Sequence, residues 1–384
     1  MKTDRKRENG KVRKVVGKIL VVFLMVFLAG TLLLPDQNQA EKARSTAEIP
    51  DLTWASFWDG SFLKGWEAYY ADRLFGRGLL GSLVAAEDTV TGHREENGIY
   101  KGSQDQLLEE IKAPDEEKLN KNLQAIWDFA SQYWEAPMSI MIVPDAAQIF
   151  PDRLPVSAKT LDQSELTKTI DAKLGDLVLS IDAESALKKH VNEKLYYQTD
   201  YHWTSLGAYY AFQEAAKDLE LDTSKIEEFA SYAVTTEYNG ALSARSGFLK
   251  GVKEEIQIYI PGEKVQVVVE YPEKKGKRTS LFSSAGLESE DPYRVFLGGD
   301  DPLVDIKTTA DSNRRLLVFK DSSANCFVQF LTPYYREIIL VDPTSCNMSG
   351  KELMETYRAT DVMFLYRGNV FAEDDSLSGV LTGE

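Results

Sequence analysis

Histidine and cysteine are scarce in this chain, with three of one and two of the other among 384 residues. Cys326 and Cys346 form no CxxC, so neither a zinc knuckle nor a dithiol redox motif is supported. A disulfide between them is permitted in an exported protein but not required. His93, His190 and His202 show no HExxH or comparable ligand spacing, so no metal site is expected. His93 in TGHREENG and His190 in ALKKHVNEK sit among charged residues and read as solvated surface. The chain has no GxxxxGK[ST] phosphate loop. Gly76-Arg77-Gly78-Leu79-Leu80-Gly81 matches GxGxxG, but GWEAYYADRLF before it has helical spacing, and a dinucleotide fingerprint needs a strand there. No cofactor is expected. There is no fixed-period repeat or low-complexity tract.

Basic charge is lacking over most of the chain. The net charge is −16, yet residues 1–18 hold eight Lys and Arg against Asp4 and Glu8, a net of +6 that leaves about −22 on the rest. Nucleic-acid binding needs a basic face to displace counterions, and a body this acidic argues against it. A solvated acidic surface is the plain reading.

The basic head precedes an uncharged run, ILVVFLMVFLAGTLLL, from Ile19 to Leu34. As a helix it spans about 24 Å, short of the ~30 Å hydrocarbon core. Val15, Val16 and a snorkelling Lys18 extend it. Basic flanking charge keeps the N-terminal side in the cytoplasm and exports the remainder of the chain. Asn38-Gln39-Ala40 weakly resembles a signal-peptide cleavage site, but residue 38 is not small, which favours an uncleaved signal anchor. The protein is therefore expected to be single-pass with an extracytoplasmic body, or secreted if the segment is cut. Residues 35–50, PDQNQAEKARSTAEIP, read as a linker, and 51–384 as the body.

At 384 residues and 43% hydrophobic, the chain can bury a sizeable core. Helical spacing covers 56–92 and about 115–135, the latter with Leu119, Leu123, Ile126 and Phe129 three or four apart. Short apolar runs come next: MSIMIVP (138–144), DLVLSID (176–182), RVFLGGD (294–300), RLLVFKD (315–321), EIILVD (337–342) and DVMFLY (361–366). Such runs between helical segments predict a parallel sheet covered on both faces. Between about 229 and 292, EEIQIYI and KVQVVVEY alternate in strand fashion, with PGEK and PEKKGK as turns. This predicts a β-hairpin insertion.

Two segments carry candidate chemistry. In RLLVFKDSSANCFVQFL (315–331) a buried strand runs into Ser322 and Ser323 and then into a predicted helix. Strand ends of parallel sheets face the ligand crevice, and the start of a helix offers unpaired N–H donors to an oxyanion. A serine there is equally an ordinary N-cap, worth about 1 kcal/mol. Serine also needs a base, and the base needs orienting. The segment YYQTDYHWTSLGAYY (196–210) contains His202 with Asp200 two positions before it. In an extended segment residues two apart point the same way, so Asp200 can hold the imidazole. Thr204 or Ser205 caps the following helix, SLGAYYAFQEAAKDL, and Trp203 packs at its entry.

Asp200-Tyr201-His202-Trp203-Thr204, with Lys320-Asp321-Ser322-Ser323-Ala324-Asn325 far downstream, resembles the DHHW family of bacterial surface proteins. That family is related to the SGNH-hydrolase-like proteins of alginate O-acetylation. Asn97-Gly98-Ile99-Tyr100-Lys101-Gly102, Val143-Pro144-Asp145 and Gly298-Gly299-Asp300 fall in the family's order. The resemblance implies an α/β, three-layer SGNH-like domain with a mostly parallel sheet. It implies Asp200 as orienter, His202 as base and Ser322 as nucleophile. Asn325, Ser323, the Gly298-Gly299 backbone and Trp203 are candidates for oxyanion or substrate contacts. The implied activity is O-acetyl transfer to a surface or secreted polysaccharide, with a multi-pass membrane acyltransferase as partner. An acetyl esterase using the same residues, and a non-catalytic glycan-binding or scaffold protein, are the alternatives. The chain departs from the pattern in three places. Lys320 stands where a glycine is common in the alginate proteins, Tyr201 replaces the second histidine of the DHHW name, and Ser323 offers a rival hydroxyl.

Overall fold

The computed structural model describes residues 94–224, 229–262 and 265–383. The basic head, the apolar run 19–34, the linker 35–50, the helical stretch 56–92 with its GxGxxG, and His93 lie outside the described residues. Among the described residues no helix is long and apolar enough to cross a membrane.

In chain order the elements begin with a three-stranded sheet: β1 (Glu95–Glu96), β2 (Ile99–Lys101) and β3 (Leu107–Glu109). Next come α1 (Glu116–Gln132), β4 (Met138–Val143), α2 (Ser164–Leu174), β5 (Leu179–Ser180), α3 (Ala183–Lys188) and α4 (Ser205–Asp218). The middle of the chain supplies β6 (Ala230–Tyr238), α5 (Ala241–Ser246), β7 (Glu254–Ile260), β8 (Val267–Tyr271) and β9 (Gly276–Arg278). The chain ends with β10 (Leu303–Thr308), β11 (Arg315–Lys320), β12 (Glu337–Val341), α6 (Gly350–Tyr357), β13 (Asp361–Arg367), α7 (Gly368–Glu373) and α8 (Ser376–Thr382).

An eight-stranded sheet, ordered β5-β4-β13-β11-β12-β10-β8-β9, forms the centre. From β5 to β12 every pairing is parallel, with Val318 opposite both Leu340 and Met363. From β12 onward the pairings are antiparallel. The parallel strands read as unbroken apolar runs because both faces are covered. Alternate residues divide between two cores. Met141, Val318, Leu340, Met363 and Leu365 face one, with Ala211, Phe212 and Ala215 of α4. Ile140, Leu317, Phe319, Ile339 and Phe364 face the other, with Leu123 and Ile126 of α1, Ile170 of α2 and Leu377 of α8. Each buried Val, Leu, Ile, Met or Phe among them contributes about 1.5–3 kcal/mol relative to exposure. This is the expected three-layer α/β arrangement. Local signals agree with it: Asp115 caps α1 by accepting from the N–H groups of Glu117 and Lys118, and Ser349 and Glu352 form a reciprocal capping box on α6.

Three local expectations differ from the structure. EEIQIYI and VVVEY do not pair across PGEK. Instead β7 pairs with β6, Ile258 opposite Tyr232, while β8 joins the main sheet beside β10 and turns back through PEKKGK to β9. Alternation identifies a strand and its inner face, but not its partner. RVFLGGD is no strand: Asp291 caps a 3-10 turn at Pro292–Val295, and Leu297, Gly298 and Gly299 then take positive φ values of 60°, 84° and 113°. Such backbone cannot join a ladder. ANCFVQFL forms two short 3-10 turns, Ser322–Ala324 and Val328–Phe330, with Phe327 and Phe330 fully buried against Phe212. Tertiary packing of these bulky side chains outweighs a regular helix here.

Candidate active site

β11 ends at Lys320, at the same sheet edge as the C-terminal ends of its parallel neighbours. The chain then turns. One Asp321 oxygen accepts from Ser323 N at 2.8 Å, and the other accepts from Arg367 N, at the end of β13, at 2.9 Å. The turn is thereby tied to the next strand, and Ser322 is presented above the edge. Burial pushes the Asp321 carboxyl up, against the pull of Arg367 and of these N–H donors.

The histidine arrives on a separate tight loop. Tyr196 bridges to Trp203, and Thr204 N donates to Leu195 O at 2.8 Å. Thr204 caps α4 by accepting from Gly207 N, so the helix entry fixes one end of the loop. Asp200 and His202 are not in extended backbone. Asp200 Oδ1 accepts from His202 N at 2.9 Å and meets His202 Nδ1 at 2.6 Å, an Asx-type turn that binds main chain and ring together. On the far side of the ring, His202 Nε2 lies 2.9 Å from Ser322 Oγ. The three expected residues thus form one hydrogen-bonded chain, and it is Ser322 whose hydroxyl meets the imidazole.

Asp200 is supported from the β-rich insertion. Its second oxygen accepts from Ala241 N, at the start of α5, at 2.6 Å. Gly240 permits this approach, since a Cβ there would sit 2.3 Å from Asp200 Cβ. Buried Glu254 of β7 accepts from the N–H groups of Gln198 (2.8 Å) and Thr199 (2.9 Å), which steadies the loop before Asp200. Burial alone would raise the Asp200 carboxyl. His202 and the N–H donors of Ala241 and His202 outweigh that and hold it well below the usual carboxylate range. Gly240, Ala241 and Glu254 carry no site signature in the sequence. Asn239-Gly240 is a turn signal, but nothing in it points to Asp200.

The other candidates take different places. Trp203 is fully buried, and its Nε1 donates to Ser323 O at 2.9 Å, so it braces the two site loops against each other instead of facing a substrate. Ser323 is buried, with its N–H given to Asp321 and its carbonyl to Trp203. Asn325 sits beside the nucleophile in a network with Lys320 and Asp300. Lys320 Nζ donates to Asn325 Oδ1 (2.8 Å) and Asp300 Oδ1 (3.0 Å), and Asn325 Nδ2 donates to the same Asp300 oxygen at 2.8 Å. An ammonium only donates and a carboxylate only accepts, so the amide orientation is unambiguous. The Gly298-Gly299 turn delivers Asp300. Gly299 N is spent on Phe296 O, and Cβ atoms at the two glycines would meet Arg278 and Arg294 at 2.7 Å. Burial opposes ionisation of Asp300, but Lys320 and Asn325 pull its carboxyl down to about 2.

Sequence reasoning also missed two rings beside the imidazole. Tyr293 stacks on His202 with centroids 3.9 Å apart and planes 15° apart, and Tyr201 lies at 4.2 Å and 38°. Among the described residues no group of His, Cys, Asp and Glu is arranged to hold a metal ion. Cys326 and Cys346 are both free thiols, and burial pushes the Cys326 thiol up to about 12. His190 pairs with Glu193 at 2.8 Å and stacks on Tyr210 near the surface, away from this chemistry.

Residues 104–289 match the family model described as the SGNH hydrolase-like domain of acetyltransferase AlgX. That span includes Asp200 and His202 and ends before Ser322. Among solved structures, the chain is similar to a DHHW family protein from Eubacterium siraeum, with 21% identity and a TM-score of 0.65, over 76% of this chain and 96% of that one. It is also similar to PatB1 of Bacillus cereus with a sulfonyl adduct, with 16% identity and a TM-score of 0.61, over 72% of this chain and 97% of that one. At these identities the structural likeness establishes the fold. No curated protein matches the chain.

Proposed function

We propose that this chain, which carries an SGNH hydrolase-like domain similar to that of acetyltransferase AlgX, is a serine-dependent O-acetyltransferase acting on a polysaccharide. The observation that carries the reading is the continuous chain Asp200–His202–Ser322, with contacts of 2.6 and 2.9 Å. His202 Nε2 takes the Ser322 proton as Oγ bonds to the acetyl carbonyl carbon. The imidazolium returns that proton to the donor's leaving oxygen as its bond to the acetyl carbon breaks. In the second half a sugar hydroxyl gives its proton to Nε2, attacks the acetyl-serine and releases Ser322, whose Oγ recovers the proton. Base catalysis of this kind contributes about 10²–10⁴-fold. Asp200 keeps Nδ1 protonated and stabilises the transient cation. The second Asn325 Nδ2 hydrogen and the Ser322 N–H are the oxyanion donors in this scheme.

The basic head and the apolar run 19–34 support a single-pass anchor with the catalytic body outside the cytoplasm. A multi-pass membrane acyltransferase is the matching source of acetyl groups.

The test uses the full-length protein in detergent with a chromogenic acetyl ester, with and without an oligosaccharide acceptor. Turnover, an acetyl adduct on Ser322 by mass spectrometry and acetylated sugar are expected, all lost in Ser322→Ala. Turnover with acetate as the only product identifies an esterase. Absence of both turnover and adduct refutes catalysis and leaves a glycan-binding role.

A further inference from the structure

We infer that Tyr293 is a positioning residue for His202, holding the imidazole plane and stabilising its cation through the ring face, and this rests on the catalytic reading above. The hydrogen bonds to Asp200 and Ser322 set the direction of the imidazole. Each tolerates some tens of degrees of tilt before weakening steeply. A near-parallel ring at 3.9 Å tolerates far less, because tilting drives the imidazole edge into the tyrosine face. Tyr293 is itself rigid: it is buried in the 3-10 turn capped by Asp291 and stands edge-on to Phe296 (5.1 Å) and Tyr197 (6.3 Å).

The ring face also bears on the chemistry. His202 is neutral before it accepts the serine proton and cationic after. A π face attracts the cation and is nearly indifferent to the neutral ring, and the attraction is largest where water is excluded, as at this 3% exposed histidine. The contribution therefore belongs to the transition state and acts on kcat.

Tyr201 differs although it also touches the imidazole. The Arg367 guanidinium lies 4.4 Å over its ring, so its π face is already committed to a permanent cation. Arg367 is in turn held by Glu109 and, at 3.0 Å, by Asp145. Tyr201 thus anchors the His202 loop to this buried ionic cluster, while Tyr293 serves the imidazolium.

The test measures acetyl-ester turnover by the full-length protein. Tyr293→Leu should lower kcat about ten- to thirtyfold with KM within about twofold, while Tyr293→Phe stays near wild type. Phenylalanines of increasing fluorination at position 293 keep the shape and drain the ring face, so kcat should fall stepwise with fluorine number. This series decides the matter if the Leu variant folds poorly. Unchanged kcat in folded Tyr293→Leu, no trend across the fluorinated series, or an equal loss in Tyr293→Phe overturns the inference and leaves the reaction standing. A wild-type protein without turnover overturns both.

Discussion

Lys320 holds Asn325 in a single orientation: its ammonium lies 2.8 Å from Asn325 Oδ1 and turns the amide nitrogen toward Asp300. Lys320 is buried to 1% exposure, two residues before the nucleophile, where a flexible or unpaired cation would be costly. Its position is stable because Asp300 and Asn325 together satisfy it. Lys320 on Oδ1 and Asp300 on Nδ2 together set the direction of the amide in the proposed reaction.

Removing the ammonium should therefore damage the reaction more than the fold. In Lys320→Met the methionine fills the buried space, and Asp300, open to solvent on its outer side, can be hydrated. Stability should fall by about 2 kcal/mol in urea unfolding. Asn325 then keeps only its bond to Asp300 and its amide is held at one end instead of two, so kcat should fall by up to about a hundredfold, the lower end of what losing one oxyanion donor costs. A variant with wild-type kcat would remove Asn325 from the proposed oxyanion site.

Asp200→Asn should lower kcat about 10⁴-fold while the protein stays folded, because an amide nitrogen facing Nδ1 selects the wrong imidazole tautomer. The carboxylate accepts from three groups, His202 N, His202 Nδ1 and Ala241 N, and an amide oxygen can serve only part of that set. Steady-state kinetics with a circular dichroism control measure this, and a loss of tenfold or less would exclude Asp200 as the orienting acid.

The parts of this site that were legible in the sequence share a local cause. β4, β11, β12 and β13 announce themselves because burial on both faces leaves unbroken apolar runs. Asp200 and His202 are two residues apart, and Ser322 follows the buried strand after one intervening residue, so each can be placed on its element locally, while their joint roles are read from the resemblance to the DHHW family. The features that could not be read depend on contacts through space. Ala241 N reaches Asp200 across 41 positions, from between strands whose partners alternation does not specify. Tyr293 was hidden in RVFLGGD and the turn before it, where apolar residues imitate a strand although Pro292 and the two glycines rule out a ladder.

The closeness of Gly240 to Asp200 gives a test of that long-range support. Gly240→Ala places a Cβ 2.3 Å from Asp200 Cβ and Oδ2, so the backbone must withdraw and the Ala241 N–H bond must lengthen. A loss of about 1–3 kcal/mol is expected from the overpacking, together with at least a tenfold fall in kcat. Gly251→Ala is the control, since no atom lies within 4 Å of its Cβ position, and it should change stability by less than about 0.5 kcal/mol. If both variants keep wild-type kcat, the insertion does not support the acid.

Acid stability should carry the mark of Asp300. Its folded-state value, about 2, lies below the ordinary carboxylate value of about 3.9 in an unfolded chain. A lowered folded value means that the folded state holds the ionised form more strongly. The contribution is therefore fully present above about pH 4 and is lost as pH falls through about 2. Asp300→Asn removes it, so the stability gap between wild type and variant should be widest near pH 5 and close progressively toward pH 2. The half-exposed side chain keeps the gap modest, because solvent screens the Lys320 pair. Urea unfolding of both proteins at several pH values between 5 and 2 measures it. A gap that is constant across this range, or that widens toward acid, would show that the Lys320–Asp300 pair does not favour the ionised carboxylate in the folded protein.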